Sequence, residues 1–279
     1  MTMAEITATL VRELRDETGL PMMDCKKALQ ESGGDKEKAK ETLRKNGIAI
    51  AAKRSDRETA FGRFGIYHGV DKSSGGIVEL KCESAPVANS PEFIQLANDM
   101  AQVLATGPGA KTADELLDQA SPSKPGKTLR EVKDDMFNRI REVFNVGRMA
   151  RVDGGSGGYS HNSGTVSGVL LQVEGGTNEA AKDVAMHVAA MRPLALAKED
   201  IDPAMVEKER EILKEAALKE GKPANIVDKM VEGRLRNFYA EKALLEQPFV
   251  KEPSLTVSKF AADAGMKIKK FVHWELGRE

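Results

Sequence analysis

The segment Ser121-Pro-Ser-Lys-Pro-Gly-Lys-Thr128 comes closest to chemistry in this chain. It nearly matches the phosphate-binding loop G-x-x-x-x-G-K-[ST], with Gly126, Lys127 and Thr128 in place and Ser121 where the first glycine belongs. Such a loop follows a buried strand and wraps phosphates in successive backbone N–H groups. Here the preceding residues, Thr112 to Ala120, are acidic and helix-like, and Pro125 removes one N–H. The segment is therefore read as an exposed loop, and a nucleotide-hydrolysing enzyme built on Gly126-Lys127-Thr128 is the weakest functional reading.

Other reactive side chains are no better placed. His68, His161, His187 and His273 lie far apart without metal-ligand spacing, and no G-x-S-x-G is present. The two cysteines, Cys25 and Cys82, form neither a C-x-x-C pair nor a ligand cluster and are read as small buried thiols of a reducing cytosol. His187 sits on the apolar stripe of a helix, either as a hydrogen-bonded core residue or as part of a contact surface. Met22-Met23 poses the same choice, because adjacent methionines at a helix start cannot both face a small core and a flexible thioether suits an irregular interface. These residues predict a binding protein with no catalytic group, cofactor or metal.

Composition bounds the partners. The chain has 279 residues, 41% of them hydrophobic and 30% charged, and lacks a bilayer-spanning run of about 18 apolar residues. Its 42 basic and 43 acidic residues leave a net charge of -1, which argues against general attraction to nucleic acid or anionic membrane. The start, MTMAEITATLVREL, has no apolar signal core, so a cytoplasmic protein is expected.

The elements that must position these residues read as α+β. Ile6, Leu10, Val11 and Leu14 recur at helical spacing before a break at Thr18-Gly19-Leu20-Pro21. A second helix from Met22 stops at Ser32-Gly33-Gly34, and Asp35 caps a third that runs through Leu43. The charged stretch Ala51 to Glu58 reads as a flexible connection. The body then repeats itself. Arg63 to Val70 and Ile77 to Cys82 lead to the helical stripe Phe93, Leu96, Ala97, Met100 and Val103; Gly158 to Thr165 and Val169 to Val173 lead to Val184, His187, Val188 and Met191. An amphipathic helix from Leu129 to Phe144 and a strand from Val146 to Val152 fall between the copies. Two long helical patterns, Met205 to Leu218 and Ile226 to Leu245, break at Glu220-Gly-Lys-Pro223 and suggest an antiparallel hairpin. Thr256 to Ala264 reads as a short helix and Lys267 to Leu276 as a closing strand. The expected domains are 1–53, 54–153 and 154–279, with the hairpin inserted at about 200–247.

Several of these stretches resemble one family. Leu14-Arg-Asp-Glu-Thr-Gly-Leu-Pro-Met-Met-Asp-Cys-Lys-Lys-Ala-Leu29 is similar to the amino-terminal signature of elongation factor Ts, and the opening Ala4-Glu-Ile-Thr agrees. Ala185-Met-His-Val-Ala-Ala190, Arg192-Pro193, Gly221-Lys-Pro, Met230-Val-Glu-Gly-Arg234 and Gln247-Pro-Phe-Val250 follow in that family's order. The resemblance implies a ubiquitin-associated-like three-helix domain, a duplicated α+β core and an inserted helical hairpin. It also implies a guanine-nucleotide exchange factor for elongation factor Tu, to which the magnesium and the nucleotide belong; a one-to-one and a two-to-two complex with Tu both stay open. Carried over residue by residue, Arg15, Met22, Met23 and Lys26 would touch the nucleotide domain of Tu, and Ile140, Arg141 and His187 would face it. One motif departs. Where the family reads Glu-x-Asn-Cys-Gln/Glu-Thr-Asp-Phe-Val-Ala, this chain has Glu79-Leu-Lys-Cys-Glu-Ser-Ala-Pro-Val-Ala88. Ala85 and Pro86, ahead of Val87, replace the Asp-Phe pair whose ring is the family's wedge. A rival reading makes the bundle a recognition module for ubiquitin-like or nascent-chain surfaces, with the body as scaffold.

Overall fold

The computed structural model describes residues 6–54, 56–220 and 223–278. Ala4 and Glu5 of the opening motif, Ser55 of the charged connection and Gly221-Lys222 of the hairpin break lie outside the described residues, as do the first three residues of the start read above for a signal. Contacts divide the chain into two compact units. The first takes the described residues up to Gly65 with Val78–Val103 and Pro108–Arg148; the second takes Ile66–Ile77, Leu104–Gly107 and the described residues from Met149. The fold is mixed, with helices and small sheets consistent with α+β.

The first unit opens with α1 (Ala8–Thr18), α2 (Met22–Glu31) and α3 (Lys36–Ala52). Thr7 caps α1 by accepting from the Leu10 N–H at 3.2 Å, and Gly19, at φ 68°, turns the chain out of it. Gly33 and Gly34 end α2 at positive φ, and the Asp35 carboxylate accepts from the Lys38 N–H at 3.1 Å. Val11, Leu14, Leu20, Cys25, Ala28, Leu29, Ala39 and Leu43 form the bundle's own core. Helix α3 continues past Leu43 into the expected connection, and that connection is tied down. Arg54 donates to the Arg141 carbonyl, and Arg57 reaches Glu83 at 2.9 Å.

Strands β1 (Phe61–Tyr67), β2 (Ser74–Cys82) and β3 (Asn145–Asp153) form one sheet in that order; β4 (Ser156–His161), β5 (Ser167–Gly175) and β8 (Met266–Glu275) form another. In the second sheet both pairings are antiparallel, with Tyr159 opposite Val169 and Val169 opposite His273. Each sheet has the same connectivity: two successive strands, a long helix, then a distant strand that joins beside the second. The helix is α5 (Pro91–Thr106) in one copy and α8 (Asn178–Met191) in the other. The duplication read from the sequence therefore has a structural form. The insertion in the first copy carries α6 (Ala113–Leu117) and α7 (Leu129–Ile140). The second carries α9 (Pro203–Lys219) and α10 (Ala224–Lys242), packed through Ala217, Val227, Val231 and Leu235, then β6 (Pro248–Phe249), β7 (Glu252–Thr256) and α11 (Val257–Asp263). Among the described residues no helix is long and apolar enough to cross a membrane.

The end of one helix differs from the sequence reading. Helix α7 stops at Ile140 instead of reaching Phe144, because Arg141 takes the left-handed conformation at φ 64°. Phe144 is still buried, reaching Phe93 edge-on at 5.6 Å from non-helical chain. The phosphate-loop look-alike is an exposed loop, as the sequence suggests, anchored at its two ends. Ser121 donates to the buried Asp99 carboxylate at 2.9 Å, and Lys127 pairs with Asp135. Thr128 is the N-cap of α7 in a reciprocal capping box with Glu131.

Both long helices lie very close to their sheets. A Cβ built on Gly65 of β1 would fall 1.9 Å from the Ala97 carbonyl oxygen of α5, and one on Gly157 of β4 would fall 2.6 Å from the Ala181 Cβ of α8. The obstacle at Gly65 is backbone, which cannot swing aside. Gly65→Ala is expected to destabilise the protein by about 2 kcal/mol or more, read as a lower urea midpoint; unchanged stability would contradict this packing.

Candidate functional site

On α2, Cys25, Ala28 and Leu29 point into the bundle, and the helical period turns Met22, Met23 and Lys26 outward. Met22 is 49% and Met23 70% exposed, so neither methionine serves the core. Arg15, on α1, is exposed as well and lies 3.7 Å from Asp16. Asp24, next in sequence to the methionine pair, accepts from the Arg141 guanidinium at 2.5 Å.

The turn after β2 is built from polar contacts. Glu79 is buried, and Arg148 meets its carboxylate with Nε at 3.0 Å and Nη2 at 2.8 Å. Gly147 leaves the space for it, since a Cβ there would lie 2.4 Å from Glu79 Oε2. Burial pushes the Cys82 thiol up to about 11, which keeps it an inert thiol near neutrality. Burial also pushes the Glu83 carboxyl upward, but the Val143 N–H at 2.8 Å and Arg57 outweigh it and hold the group below its ordinary value. Ser84 donates to Glu142 at 2.6 Å. On this base stands one helical turn, α4 (Ala85–Ala88), with Pro86 in its first turn, where a missing N–H costs nothing. Pro86 is exposed, Ala85 and Val87 are half-buried, and Ala88 is buried.

Ile140 is half-buried at the end of α7. Arg141 follows it in a conformation that costs an L-residue about 1 kcal/mol. Its side chain is turned back on the bundle through Asp24. His187 belongs to the second unit and is fully buried. The Val250 N–H donates to its Nδ1 at 3.1 Å, so the proton sits on Nε2, which donates to Gln247 Oε1 at 2.9 Å. Its ring lies 5.7 Å from that of Phe249. The structure thus places the imidazole among core partners and leaves Val250, 45% exposed, at the surface above it.

Arg141 and the α2 methionine turn are brought together through Asp24, a residue sequence reasoning passed over. Nothing distinguishes Asp24 from other helix-surface carboxylates until its partner, 117 positions away, is known. In the sequence Gln247 belongs to a motif, and its pairing with His187 becomes visible only in the fold. Among the described residues, no three His, Cys, Asp or Glu side chains gather as metal ligands.

Comparison with known proteins decides the family. The family described as "Elongation factor TS" matches residues 83–278. An elongation factor Ts of Methylococcus capsulatus is 44% identical over 275 residues, spanning 98% of this chain and 92% of that protein. The chain belongs to the elongation factor Ts family. Another elongation factor Ts, from Clostridium botulinum strain Eklund 17B, is 43% identical over 286 residues, with 98% and 93% of the two chains covered. That of Thioalkalivibrio sulfidiphilus is 39% identical over 276 residues, with 98% and 92% covered. The family match opens at Glu83, inside the departing motif, and includes His187. Coverage of 98% takes the likeness to these elongation factors across the bundle too.

Burial pushes His68, His187 and His273 below the ordinary 6.5. An unfolded chain takes up protons at these histidines near 6.5, whereas the native chain resists. Their contribution to stability is therefore complete above 6.5 and is lost as pH falls toward the lowered native values. The urea midpoint is expected to fall between about pH 7.5 and 5.5. A His187→Leu variant should be less stable at neutral pH with a shallower fall; an equally steep fall would show that His187 does not titrate in this way.

Proposed function

We propose that the chain is a guanine-nucleotide exchange factor for elongation factor Tu, binding that GTPase in the cytoplasm and promoting release of its GDP. The reading is supported by membership of the elongation factor Ts family and is carried by one observation, the exposed Met22-Met23 pair at the start of α2. In this reading the three helices are a ubiquitin-associated-like domain over residues 1–53, followed by core halves 54–153 and 154–279. Helices α9 and α10 make an antiparallel hairpin inserted in the second half. Arg15, Met22, Met23 and Lys26, with the Ala85-Pro86-Val87 turn and Ile140, face the nucleotide domain of Tu. His187 acts from beneath the surface by holding Val250 and Gln247. No nucleic acid, membrane or cofactor takes part.

Nucleotide release requires no bond to be made by this chain. It requires a surface that fits the emptied GTPase better than the occupied one. By linkage, whatever factor favours the empty form weakens GDP in the complex equally, and about 4 kcal/mol corresponds to ~1000-fold. Thioethers adapt to an irregular partner at small cost. The α4 turn contributes differently: Glu83 and Ser84 already hold it, so little conformational freedom is lost when it is inserted. Pro86 brings neither charge nor a large ring, so the methionine surface and Ile140 carry more of the discrimination than a wedge would.

Stopped-flow release of fluorescent GDP from the cognate Tu tests this directly. The chain is expected to accelerate release at micromolar concentration, and Met22→Ala with Met23→Ala to raise the concentration needed by about tenfold. An unchanged GDP dissociation rate with the natural chain would overturn the reading. An Ala85→Asp, Pro86→Phe variant is expected to alter the rate by less than about fivefold, because the natural contacts suffice; a rise beyond about tenfold would reveal an unused pocket on Tu.

A further inference from the structure

We infer that Arg141 and Asp24 form a latch that orients the three-helix bundle on α7, which makes Arg141 a positioning residue rather than a partner contact. The inference rests on the exchange reading and assigns how that surface is held.

Arg141 occupies a backbone conformation that glycine adopts freely and an arginine does not, at φ 64°. A position where the side chain costs stability yet is large points to a task for that side chain. Its Nη2 meets Asp24 at 2.5 Å, and the side chain is 24% exposed. Its Nη1 is enclosed by protein. Its carbonyl accepts from Arg54, just past the end of α3. One residue therefore grips the first turn of α2 and the exit of α3, and the carboxylate it holds directly follows Met22-Met23.

Among the described residues, α3 also packs on α7. The bundle's apolar core is drawn from its own helices. Beside it, an open cleft of about 920 Å³, with Leu43, Leu96 and Met136 at its apolar side and Lys40, Arg44 and Asp135 among its charged lining, separates part of the bundle from α5 and α7. The other described contacts bring glycine backbone close to α7 but add no enclosed charge pair. Gly47 lies against Asn138 and Gly19 against Arg139, and the Arg44 to Glu131 pair at 3.5 Å is solvent-exposed on both sides. An exposed pair of that kind holds little; in the Arg141–Asp24 pair the guanidinium is the enclosed partner, at 24% exposure against 42% for Asp24.

The test uses the full chain. Backbone ¹⁵N relaxation of the free protein reads whether α1–α3 tumble with the rest, and GDP release reads function. Arg141→Gly and Asp24→Asn are each expected to let the bundle tumble faster than the core. Each should raise the half-saturating concentration for GDP release by about tenfold, with the maximal rate within about twofold. Arg141→Gly should do so with Tm unchanged or higher, since it relieves the backbone. The exchanged pair Asp24→Arg with Arg141→Asp, an aspartate being tolerated in the left-handed region, should restore both readouts. A bundle that stays rigid in both single variants overturns the latch. Loss of exchange in the exchanged pair while its bundle remains rigid overturns the positioning role and makes Arg141 a partner contact. If the natural chain fails to release GDP, the exchange reading falls while the relaxation arm still decides the latch.

Discussion

The absence of a side chain at position 65 sets the distance between α5 and its sheet, and much of the first unit follows from that distance. With the Ala97 carbonyl occupying the space a Cβ would need, the helix lies near enough for Phe93, Leu96 and Met100 to be fully buried. The connection from β2 to α5 must then be short and tightly folded. That connection runs from Glu83 to Ser90 and contains the α4 turn. Its shape is thus a consequence of backbone contact elsewhere, and the same device recurs at Gly157 and Ala181 in the second copy. Interiors packed this closely do not deform gradually, so the turn is presented in one geometry.

Rigid presentation matters for a protein that works by preference between two states of a partner. Flexible segments lose conformational freedom on binding and weaken both states alike, whereas a preformed turn keeps its contact energy for the state it fits. The polar base of the turn accomplishes this without a large apolar core. Val143 and Arg57 hold Glu83, Ser84 holds Glu142, and Arg148 neutralises buried Glu79. The methionines of α2 are the opposite case, compliant side chains on a helix whose backbone is fixed. Cys25, Ala28 and Leu29 seat that helix in the bundle's own core, and the contact at Asp24 ties it to Arg141.

Periodicity made the long elements legible. The stripes of α1, α5 and α8 survive in the structure because burial on one face selects residues at a fixed interval, whereas the alternation of β8 holds only from Met266 to Lys269 and is broken by a register shift opposite Gln172 and Val173. Positions governed by a single distant partner were not legible. Arg141 ends α7 without the glycine that would have announced a left-handed cap, so the stripe from Val132 to Phe144 read as one helix. His187 lay on an apolar stripe that fits a core or a contact, and only Gln247 and Val250, more than fifty positions on, settle where the ring sits. The Ser121 to Thr128 segment carries phosphate-loop letters for unrelated reasons, a hydroxyl for Asp99 and a cap for α7. Asp24 had no local signal at all.

The late arrival of β8 has a bearing on how the chain comes to be folded. In the second sheet β5 is the middle strand, flanked by β4 and by a strand from which it is separated by roughly a hundred residues that include α9 and α10. Until that strand is synthesised, Val169 to Val173 expose an apolar edge with unpaired backbone groups, the feature that invites aggregation in nascent chains. Closing so long a loop is slow compared with forming the local hairpin. During translation the ribosome therefore carries a half-finished sheet for much of the second half of synthesis, and shielding of that edge becomes a task for whatever surrounds the emerging polypeptide.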